Sequence, residues 1–231
     1  MHNKEKENLS VVLTSGGLDS ALTATIAKQE GDLALLHANY GQRTEARELK
    51  SFHDLADHLG AKERLVIDLS FLKVIGGSAL TDDEIEVPLG DIKSKEIPIT
   101  YVPFRNAHFL SAGISWAEVL GASSVFIGAV EEDGSGYPDC RDAFFDSFEE
   151  SASLGTRPET KILIKRPLIK MRKKDIVELG LRINAPFHLT WSCYKDSLLA
   201  CGECDSCLLR LRGFEEAGVG DKIKYKKTIR G

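Results

Sequence analysis

Two glycines flanked by serines, in the segment Ser15-Gly16-Gly17-Leu18-Asp19-Ser20, form the part of the sequence best suited to binding phosphate. The segment follows a short apolar run, Leu9 to Thr14, and precedes a helical pattern. A strand, a glycine turn and a helix start together present backbone N–H groups at the positive end of a helix dipole. Ser15 and Ser20 add hydroxyl donors, and the Asp19 carboxylate suits a metal ion. The segment predicts a phosphate or pyrophosphate site, although an ordinary Asp–Ser helix cap after a glycine turn has the same sequence.

The cysteines are the second set of residues that could do chemistry. Four of the five lie between Cys193 and Cys207, and Cys201-x-x-Cys204-x-x-Cys207 places three thiols within seven residues. Cys193 can fold back as a fourth ligand, and four thiolates in a tetrahedral array suit Zn²⁺. Such an ion would be structural, because four protein ligands leave no open coordination position. An iron–sulfur cluster and a group of buried free cysteines are the alternatives.

Apolar runs and helical patterns alternate along the chain and must position these residues. Strands are predicted at Leu9–Thr14, Leu33–Asn39, Arg64–Leu69, Ser124–Val130 and Ile162–Arg166. Helices are predicted at Asp19–Gln29, Thr44–Leu59, Ala107–Leu120 and Asp142–Leu154, with C-terminal caps at Gly31, Gly60 and Gly121. This alternation predicts a parallel sheet covered by helices, which binds ligands at the carboxyl ends of its strands.

The remaining segments are less regular. Phe71 to Ile99 lacks a clear period and is interpreted as a long loop or flap. A short helix is predicted at Lys173–Leu181 and a last one near Ser206–Ala217. Residues 1–231 are expected to form a single domain, with a small C-terminal subdomain from about residue 171 to 231.

Composition limits the possible functions. The 231 residues carry a net charge of −5, which disfavours a broad nucleic-acid-binding surface, although Lys165–Lys174 and Lys222–Arg230 remain candidates for local basic patches. The segment Met1–Asn8 is polar, with no signal-peptide pattern, and no apolar run approaches the roughly 18 to 20 residues that span a bilayer. We therefore expect a cytoplasmic protein, in which clustered cysteines favour metal binding over disulfides.

The glycine segment resembles the PP-loop of the ATP pyrophosphatases, which cleave ATP between its α- and β-phosphates and adenylate a substrate oxygen. Further segments narrow the resemblance to the 7-cyano-7-deazaguanine synthase family of queuosine biosynthesis, over about Leu9 to Ala217. These segments are Tyr40-Gly41-Gln42, Thr100-Tyr101-Val102-Pro103-Phe104-Arg105-Asn106, Gly136-Tyr137-Pro138-Asp139-Cys140-Arg141, and Trp191-Ser192-Cys193-Tyr194 ahead of Cys-Gly-x-Cys-x-x-Cys. One departure is Phe104, where a small residue is more usual.

The resemblance implies a doubly wound, mainly parallel five-stranded α/β sheet of the adenine nucleotide alpha hydrolase type, with a C-terminal zinc-binding helical subdomain. It implies a carbon–nitrogen ligase that uses ATP with Mg²⁺, ammonia and 7-carboxy-7-deazaguanine, contains one zinc ion per subunit and forms a homodimer. In that chemistry the acid is adenylated and ammonia displaces AMP to give an amide. Adenylation of the amide and loss of AMP then give the nitrile.

Site residues follow from the motifs. ATP is expected to contact Thr14, Ser15, Gly16, Gly17, Leu18, Asp19, Ser20, Ala21, Ala38, Tyr40 and Gln42. The substrate is expected to contact Arg105, Asn106, Tyr137, Asp139 and Arg141. The catalytic set is Asp19, Ser20 and Arg105, and the zinc ligands are Cys193, Cys201, Cys204 and Cys207.

The predicted substrate contacts have a chemical reason, and each also has an ordinary structural alternative. Arg105 can hold phosphate or carboxylate bidentately, Asp139 can accept the N1–H and 2-amino donors of a deazaguanine, and Arg141 can hold its carboxylate. Tyr137 can stack on the base. A surface arginine and a Pro–Asp turn with an internal Asp–Arg pair are the alternatives. Cys140 is expected to be structural or to line the substrate site.

Three other functions remain possible on sequence alone. A tRNA-modifying PP-loop enzyme would need a sulfur-transferring cysteine and a basic face. The acidic net charge and the closed four-cysteine pattern argue against both, and no stable nucleic-acid binding is expected. A relative that stops at the amide and a non-catalytic nucleotide-binding or zinc-assembly protein are the others. No glutaminase domain is recognisable, so free ammonia or a partner must supply the nitrogen.

Overall fold

A computed structural model describes residues 8–92, 94, 96–131 and 136–226. Its five-stranded sheet has the order β3-β2-β1-β4-β5, and every neighbouring pair is parallel. The strands are β1 (Leu9–Leu13), β2 (Asp32–Asn39), β3 (Glu63–Asp68), β4 (Ser124–Ile127) and β5 (Leu163–Lys165). The five strands predicted from the sequence are confirmed, with bounds that differ by up to three residues.

The chain reverses direction across the sheet at β1. The connections build β2 and β3 on one side of β1, and β4 and β5 on the other. Such a switch point opens a crevice beyond the carboxyl ends of the central strands. The glycine segment from Ser15 to Ser20 follows β1 directly and therefore lies at this crevice.

The helices are α1 (Leu18–Glu30), α2 (Glu45–Leu59), α3 (Phe71–Ile75), α4 (Arg105–Leu120), α5 (Asp142–Gly155), α6 (Lys173–Arg182) and α7 (Asp205–Glu216). The predicted glycine caps after α1, α2 and α4 are confirmed, since Gly31, Gly60 and Gly121 occupy these positions. Among the described residues, no helix combines the length and apolar character that crossing a membrane requires.

Alternate strand residues pack against opposite layers of helices. Val11, Leu36 and Val125 face one layer, where they pack with Leu110 of α4 and Phe145 of α5. Their neighbours Val12, Leu35 and Phe126 face the other layer, where residues of α1 and α2 complete the cluster. Because both faces are covered, the central strands are apolar along their whole length, as parallel strands require.

The segment from Phe71 to Ile99 is more ordered than the sequence analysis expected. It begins with the short helix α3, which periodicity did not reveal because five residues make little more than one turn. The described part of the rest has no regular helix or strand, as predicted. The segment as a whole, α3 included, buries Ala79 and Val87 against the cysteine region, and Leu72 and Leu80 against Tyr40.

The C-terminal helices pack against the start of α1. Leu18 and Leu22 share a buried cluster with Ile176 and Val177 of α6 and with Phe214 of α7. The chain beyond α7 is tied back by the fully buried pair Arg210–Asp221, whose Nε and Oδ2 atoms are 2.6 Å apart. These contacts place the cysteine-rich segment beside the glycine segment Ser15–Ser20, which we call the phosphate loop.

Candidate active site

The phosphate loop depends on Gly16 for its shape. Gly16 has a φ of 86°, and a Cβ at this position would lie 2.6 Å from the carbonyl oxygen of Glu48. Only glycine therefore fits between the loop and α2. The Ser15 hydroxyl oxygen accepts the Gly17 N–H at 3.2 Å, and the Ser20 hydroxyl donates to the Gly17 carbonyl at 3.1 Å. These short-range bonds fix the loop at the start of α1.

Asp19 and Lys173 form an ion pair at this loop. The Lys173 Nζ lies 2.5 Å from Asp19 Oδ2, and Lys173 is the first residue of α6. The other carboxylate oxygen, Oδ1, is buried without a hydrogen-bond partner among the described residues. A buried acceptor without a donor is costly, so this oxygen suits a magnesium ion or another ligand of the loop. The sequence analysis placed Lys173 in a basic run and at the start of a predicted helix, but not in the site.

A cavity of about 260 Å³ extends from the loop across the carboxyl ends of β1, β2 and β4. It gathers many of the residues predicted for ATP and substrate: Thr14, Ser15, Gly17, Leu18, Asp19, Ser20, Ala38, Tyr40, Arg105, Asn106 and Tyr137. Five predicted residues are not among those that line it: Gly16, Ala21, Gln42, Asp139 and Arg141. The cavity therefore joins the phosphate loop to the start of α4.

The end of the cavity away from the loop, which we call the aromatic end, is formed by Tyr40, Arg105, Phe109, Tyr137 and Tyr194. The Arg105 guanidinium lies over the rings of Tyr40 and Phe109, 5.3 and 5.5 Å from their centroids. Its Nη1 donates to the Tyr40 hydroxyl at 3.0 Å.

The charge of Arg105 has no ionic partner in the described part of the chain. Its Nε lacks a hydrogen-bond partner, and no described carboxylate lies within 4.0 Å to form an ion pair. A guanidinium remains charged in proteins. An anionic ligand would therefore supply the missing partner, and carboxylate and phosphate both match its planar donors.

Asp139 lies behind this wall rather than on it. Asp139 is buried, and its Oδ2 accepts the backbone N–H of Asn106 at 2.9 Å in the first turn of α4. The Asn106 amide in turn donates to the Asp139 carbonyl at 2.9 Å and to the Cys140 sulfur at 3.3 Å. Burial raises the pKa of Asp139, although the Asn106 hydrogen bond acts in the opposite direction. The Asp139 carboxylate thus stabilises the start of α4.

Cys140 and Arg141 differ in their surroundings. Cys140 lines the cavity, and burial together with the neighbouring Asp139 carboxylate raises the pKa of its thiol to about 11. A thiol with so high a pKa is a poor nucleophile at neutral pH. Arg141 is exposed and lines a separate cavity of about 210 Å³, which shares Val130, Tyr137 and Cys140 with the main one.

Several residues that line the cavity were not singled out from the sequence. They are Glu48, Phe109, Lys173, Trp191, Ser192, Tyr194, Asp205, Ser206 and Arg210. Trp191, Ser192 and Tyr194 belong to a motif that carried the family resemblance, so that motif was a usable signal. No sequence signal distinguished Glu48, because a glutamate in the first turn of a helix is common.

The four cysteines Cys193, Cys201, Cys204 and Cys207 come together as the sequence predicted. All are buried, and their sulfur atoms lie within 4.8 Å of one another, so the cluster could hold a metal ion. The Thr44 hydroxyl lies 3.3 Å from the Cys193 carbonyl, and the backbone N–H of Trp191 donates to the Gly16 carbonyl at 2.9 Å. The cluster therefore supports the wall of the cavity and the phosphate loop.

The basic run near α6 is neutralised by carboxylates. Arg166 pairs with Asp142 and Asp146, and the remaining pairs are Lys165–Glu30, Lys170–Asp142, Arg172–Asp175, Lys173–Asp19 and Lys174–Glu178. Cations paired in this way attract a phosphate backbone weakly. In the other candidate patch, residues 227–230 lie outside the described part of the chain.

Comparison with known proteins agrees with the motifs. The family model described as "Queuosine biosynthesis protein QueC" matches residues 9–218. A protein of Chlorobium phaeobacteroides named 7-cyano-7-deazaguanine synthase is 55% identical over 94% of this chain and 97% of its own length. A protein of the same name from Nautilia profundicola is 52% identical over 94% of this chain and 98% of its own.

Among solved structures, an NH3-dependent NAD synthetase from Campylobacter jejuni is similar over 81% of this chain and 68% of its own, with a TM-score of 0.47 and 16% identity. The family model and the curated relatives each cover more than nine-tenths of this chain. The chain belongs to the QueC family of queuosine biosynthesis proteins.

Proposed function

We propose that this protein is a carbon–nitrogen ligase that converts 7-carboxy-7-deazaguanine and ammonia to 7-cyano-7-deazaguanine at the expense of ATP. The observation that carries the proposal is full-length similarity to relatives named for this product. The two carboxyl oxygens must leave to make a nitrile, and each leaves on a separate AMP. One substrate molecule therefore consumes two ATP and releases two AMP and two diphosphate.

The phosphate loop is proposed to hold the diphosphate portion of ATP. The loop N–H groups, the Ser15 and Ser20 hydroxyls and Lys173 are donors suited to phosphate oxygens. Asp19 would hold Mg²⁺ through the oxygen that lacks a partner. Bound there, the ion would neutralise charge on the departing diphosphate. Ala38 near the carboxyl end of β2 and Tyr40 just beyond it are proposed to contact the nucleoside.

Arg105 is proposed to hold the substrate carboxylate against the α-phosphorus. Its guanidinium is fixed by the rings of Tyr40 and Phe109 and needs an anionic partner. Holding the acid and ATP in contact is the main contribution such a site can make, because the AMP portion of ATP already carries diphosphate as a good leaving group. Asn106, Tyr137 and Arg141 remain proposed substrate contacts, with Arg141 at the edge of the smaller cavity. Asp139 is revised to a positioning role through Asn106.

The four-cysteine cluster is proposed to hold one structural zinc ion per subunit. Four buried thiolate donors fit Zn²⁺ and leave no position for a substrate. We also propose a homodimer, on the family resemblance. Light scattering should give twice the mass of the chain, and a monomer at all concentrations would contradict this.

The test uses the purified protein with one metal per cluster, 7-carboxy-7-deazaguanine, ATP, Mg²⁺ and ammonium. The expected result is the nitrile, with two AMP and two diphosphate per product by mass and chromatography. With both carboxyl oxygens labelled as ¹⁸O, one label should appear in each AMP. An amide end product with one AMP would assign the relative that stops early. No AMP from fully metallated protein would overturn the proposal.

A further inference from the structure

The carboxylates that line the main cavity differ in how their charge is satisfied. Among the described residues they are Asp19, Glu48 and Asp205. Asp19 pairs with Lys173, and Asp205 Oδ1 accepts the backbone N–H of Asp91 at 2.8 Å. Glu48 receives its hydrogen bonds from neutral side chains alone. Asp205 likewise accepts from a neutral donor, but of these two carboxylates Glu48 is the one joined through Gln42 to Tyr40 of the aromatic end. We therefore take Glu48 as the lining carboxylate that can receive further donors from the substrate.

Glu48 is held in position from one side. Its Oε1 lies 2.7 Å from the Thr44 hydroxyl, and its Oε2 accepts the Gln42 amide N–H at 3.2 Å. Gln42 is itself fixed, because its Oε1 accepts the Tyr40 backbone N–H at 2.8 Å. Each carboxylate oxygen can accept two hydrogen bonds. One acceptor position on each oxygen therefore remains for the ligand.

The surroundings of the Glu48 carboxylate also favour additional hydrogen-bond donors. Burial raises the pKa of Glu48, while the hydrogen bonds from Thr44 and Gln42 and the charge of Arg105 act in the opposite direction, and Glu45 adds to the rise. A carboxylate removed from water is stabilised when ligand N–H groups reach it. Two parallel donors would satisfy both oxygens at once.

We propose that Glu48 accepts the adjacent N1–H and 2-amino donors of the substrate ring, while Arg105 holds the carboxylate at the opposite end. This inference rests on the proposed function and replaces Asp139, whose carboxylate serves Asn106. A 7-deazaguanine edge presents two neighbouring donors, which match the two oxygens of an ionised carboxylate. Adenine presents one amino group flanked by acceptor nitrogens, which a carboxylate repels. Glu48 thus determines specificity for the substrate and not for ATP.

The experiment compares two enzymes with two substrates. The enzymes are the wild-type protein and Glu48→Gln, and the substrates are 7-carboxy-7-deazaguanine and its analogue without the 2-amino group. The wild type should prefer the natural substrate by roughly 30-fold in kcat/KM. Glu48→Gln should lose most of this preference, to within about threefold, because its amide presents a donor where the ring needs an acceptor. The KM for ATP should stay within about twofold in both enzymes.

Two variants serve as controls. Glu45→Gln changes a carboxylate in the same helical turn that accepts the Gly41 N–H and does not line the cavity, so it should keep the wild-type preference. Glu48→Asp keeps the charge one methylene further back and should give an intermediate preference. If Glu48→Gln does not fold, the substrate preference of Glu48→Asp is measured in its place. Melting temperature and metal content establish folding, because the Thr44 hydroxyl lies close to both Glu48 and the Cys193 carbonyl, and a change at Glu48 could reach the cysteine cluster.

Each outcome separates the inference from the proposed function. Unchanged preference in Glu48→Gln and in Glu48→Asp would overturn the role of Glu48. A rise in the KM for ATP with unchanged substrate preference would also overturn it, since the donors would then belong to the nucleotide. Wild-type protein that makes no nitrile would overturn the proposed function itself.

Discussion

The two ends of the cavity are built in different ways. The phosphate end, formed by Ser15–Ser20 and Lys173, consists mainly of consecutive residues of one loop, which short-range hydrogen bonds hold in shape. The aromatic end takes Tyr40, Arg105, Phe109, Tyr137 and Tyr194 from four separate segments, and its side chains do the work. A phosphate needs only N–H groups and positive charge, whereas a particular heterocycle needs side chains of particular shape. We therefore expect the first end to suit many ATP-using reactions and the second to select the substrate.

The largest effect is expected at the phosphate end, from Asp19→Asn. The amide keeps the shape but loses the charge that pairs with Lys173 and that would bind Mg²⁺. Diphosphate release should fall about 1,000-fold, because charge stabilisation at the reacting group is lost. Metal in the cysteine cluster should be unchanged. Asp32→Asn, which alters an exposed carboxylate at the start of β2, is the control, and equal losses in both variants would remove the special role of Asp19.

Cys204→Ser should disturb both ends together. The cluster supports Trp191, which bonds to Gly16, and Tyr194, which lines the aromatic end. Loss of the metal should lower the melting temperature by at least about 5 °C and turnover about 100-fold. Metal analysis and calorimetry test this, with Cys140→Ser as a control that retains the metal. Full activity without bound metal would show that the two ends do not depend on the cluster.

Arg105→Lys should damage the aromatic end alone. Lysine keeps the charge but loses the planar pair of donors and the stacking on Tyr40 and Phe109. We expect kcat/KM for the acid to fall about 30-fold, equivalent to about 2 kcal/mol. The KM for ATP should change little. Arg64→Lys alters a surface arginine on β3 that pairs with Asp57 and should have no effect. A matching rise in the KM for ATP would show that Arg105 serves the nucleotide.

Cys140→Ala should have the smallest effect on turnover, less than about fivefold, because a thiol whose pKa is raised to about 11 is not a nucleophile at neutral pH.

The Cys140→Ala variant should also change how the free energy of unfolding depends on pH. Between an ordinary thiol pKa of 9.0 and about 11, the unfolded thiol loses its proton while the folded one keeps it. The wild-type free energy of unfolding should therefore decrease with rising pH across this window, by up to about 2 kcal/mol more than in the variant. Denaturation at pH 8.5 and 11 measures the difference, and loss of all turnover would instead indicate covalent catalysis.

The fold could be predicted because its signals are local. Apolar runs without alternation indicate strands covered on both faces, and the glycines after three helices indicate their ends. The helix α3 was missed because one turn has too few residues to show a period. Asp139 was expected to contact the substrate because a carboxylate can accept the donors of a deazaguanine. No local signal showed that the N–H of Asn106, in the first turn of α4, takes this carboxylate as its acceptor.

The sequence alone indicated the glycine loop after β1, the order of the five strands and of every helix except α3, and the grouping of the four cysteines, because each depends on residues close together in the chain. Only the tertiary structure decided which side chains share the cavity. Asp19 and Lys173 are 154 residues apart and Asn106 and Asp139 are 33 apart, and no local pattern encodes either contact. Glu48 is the clearest case. An ordinary helix residue becomes a candidate for substrate recognition because the packing of α2 against the phosphate loop makes it part of the cavity lining.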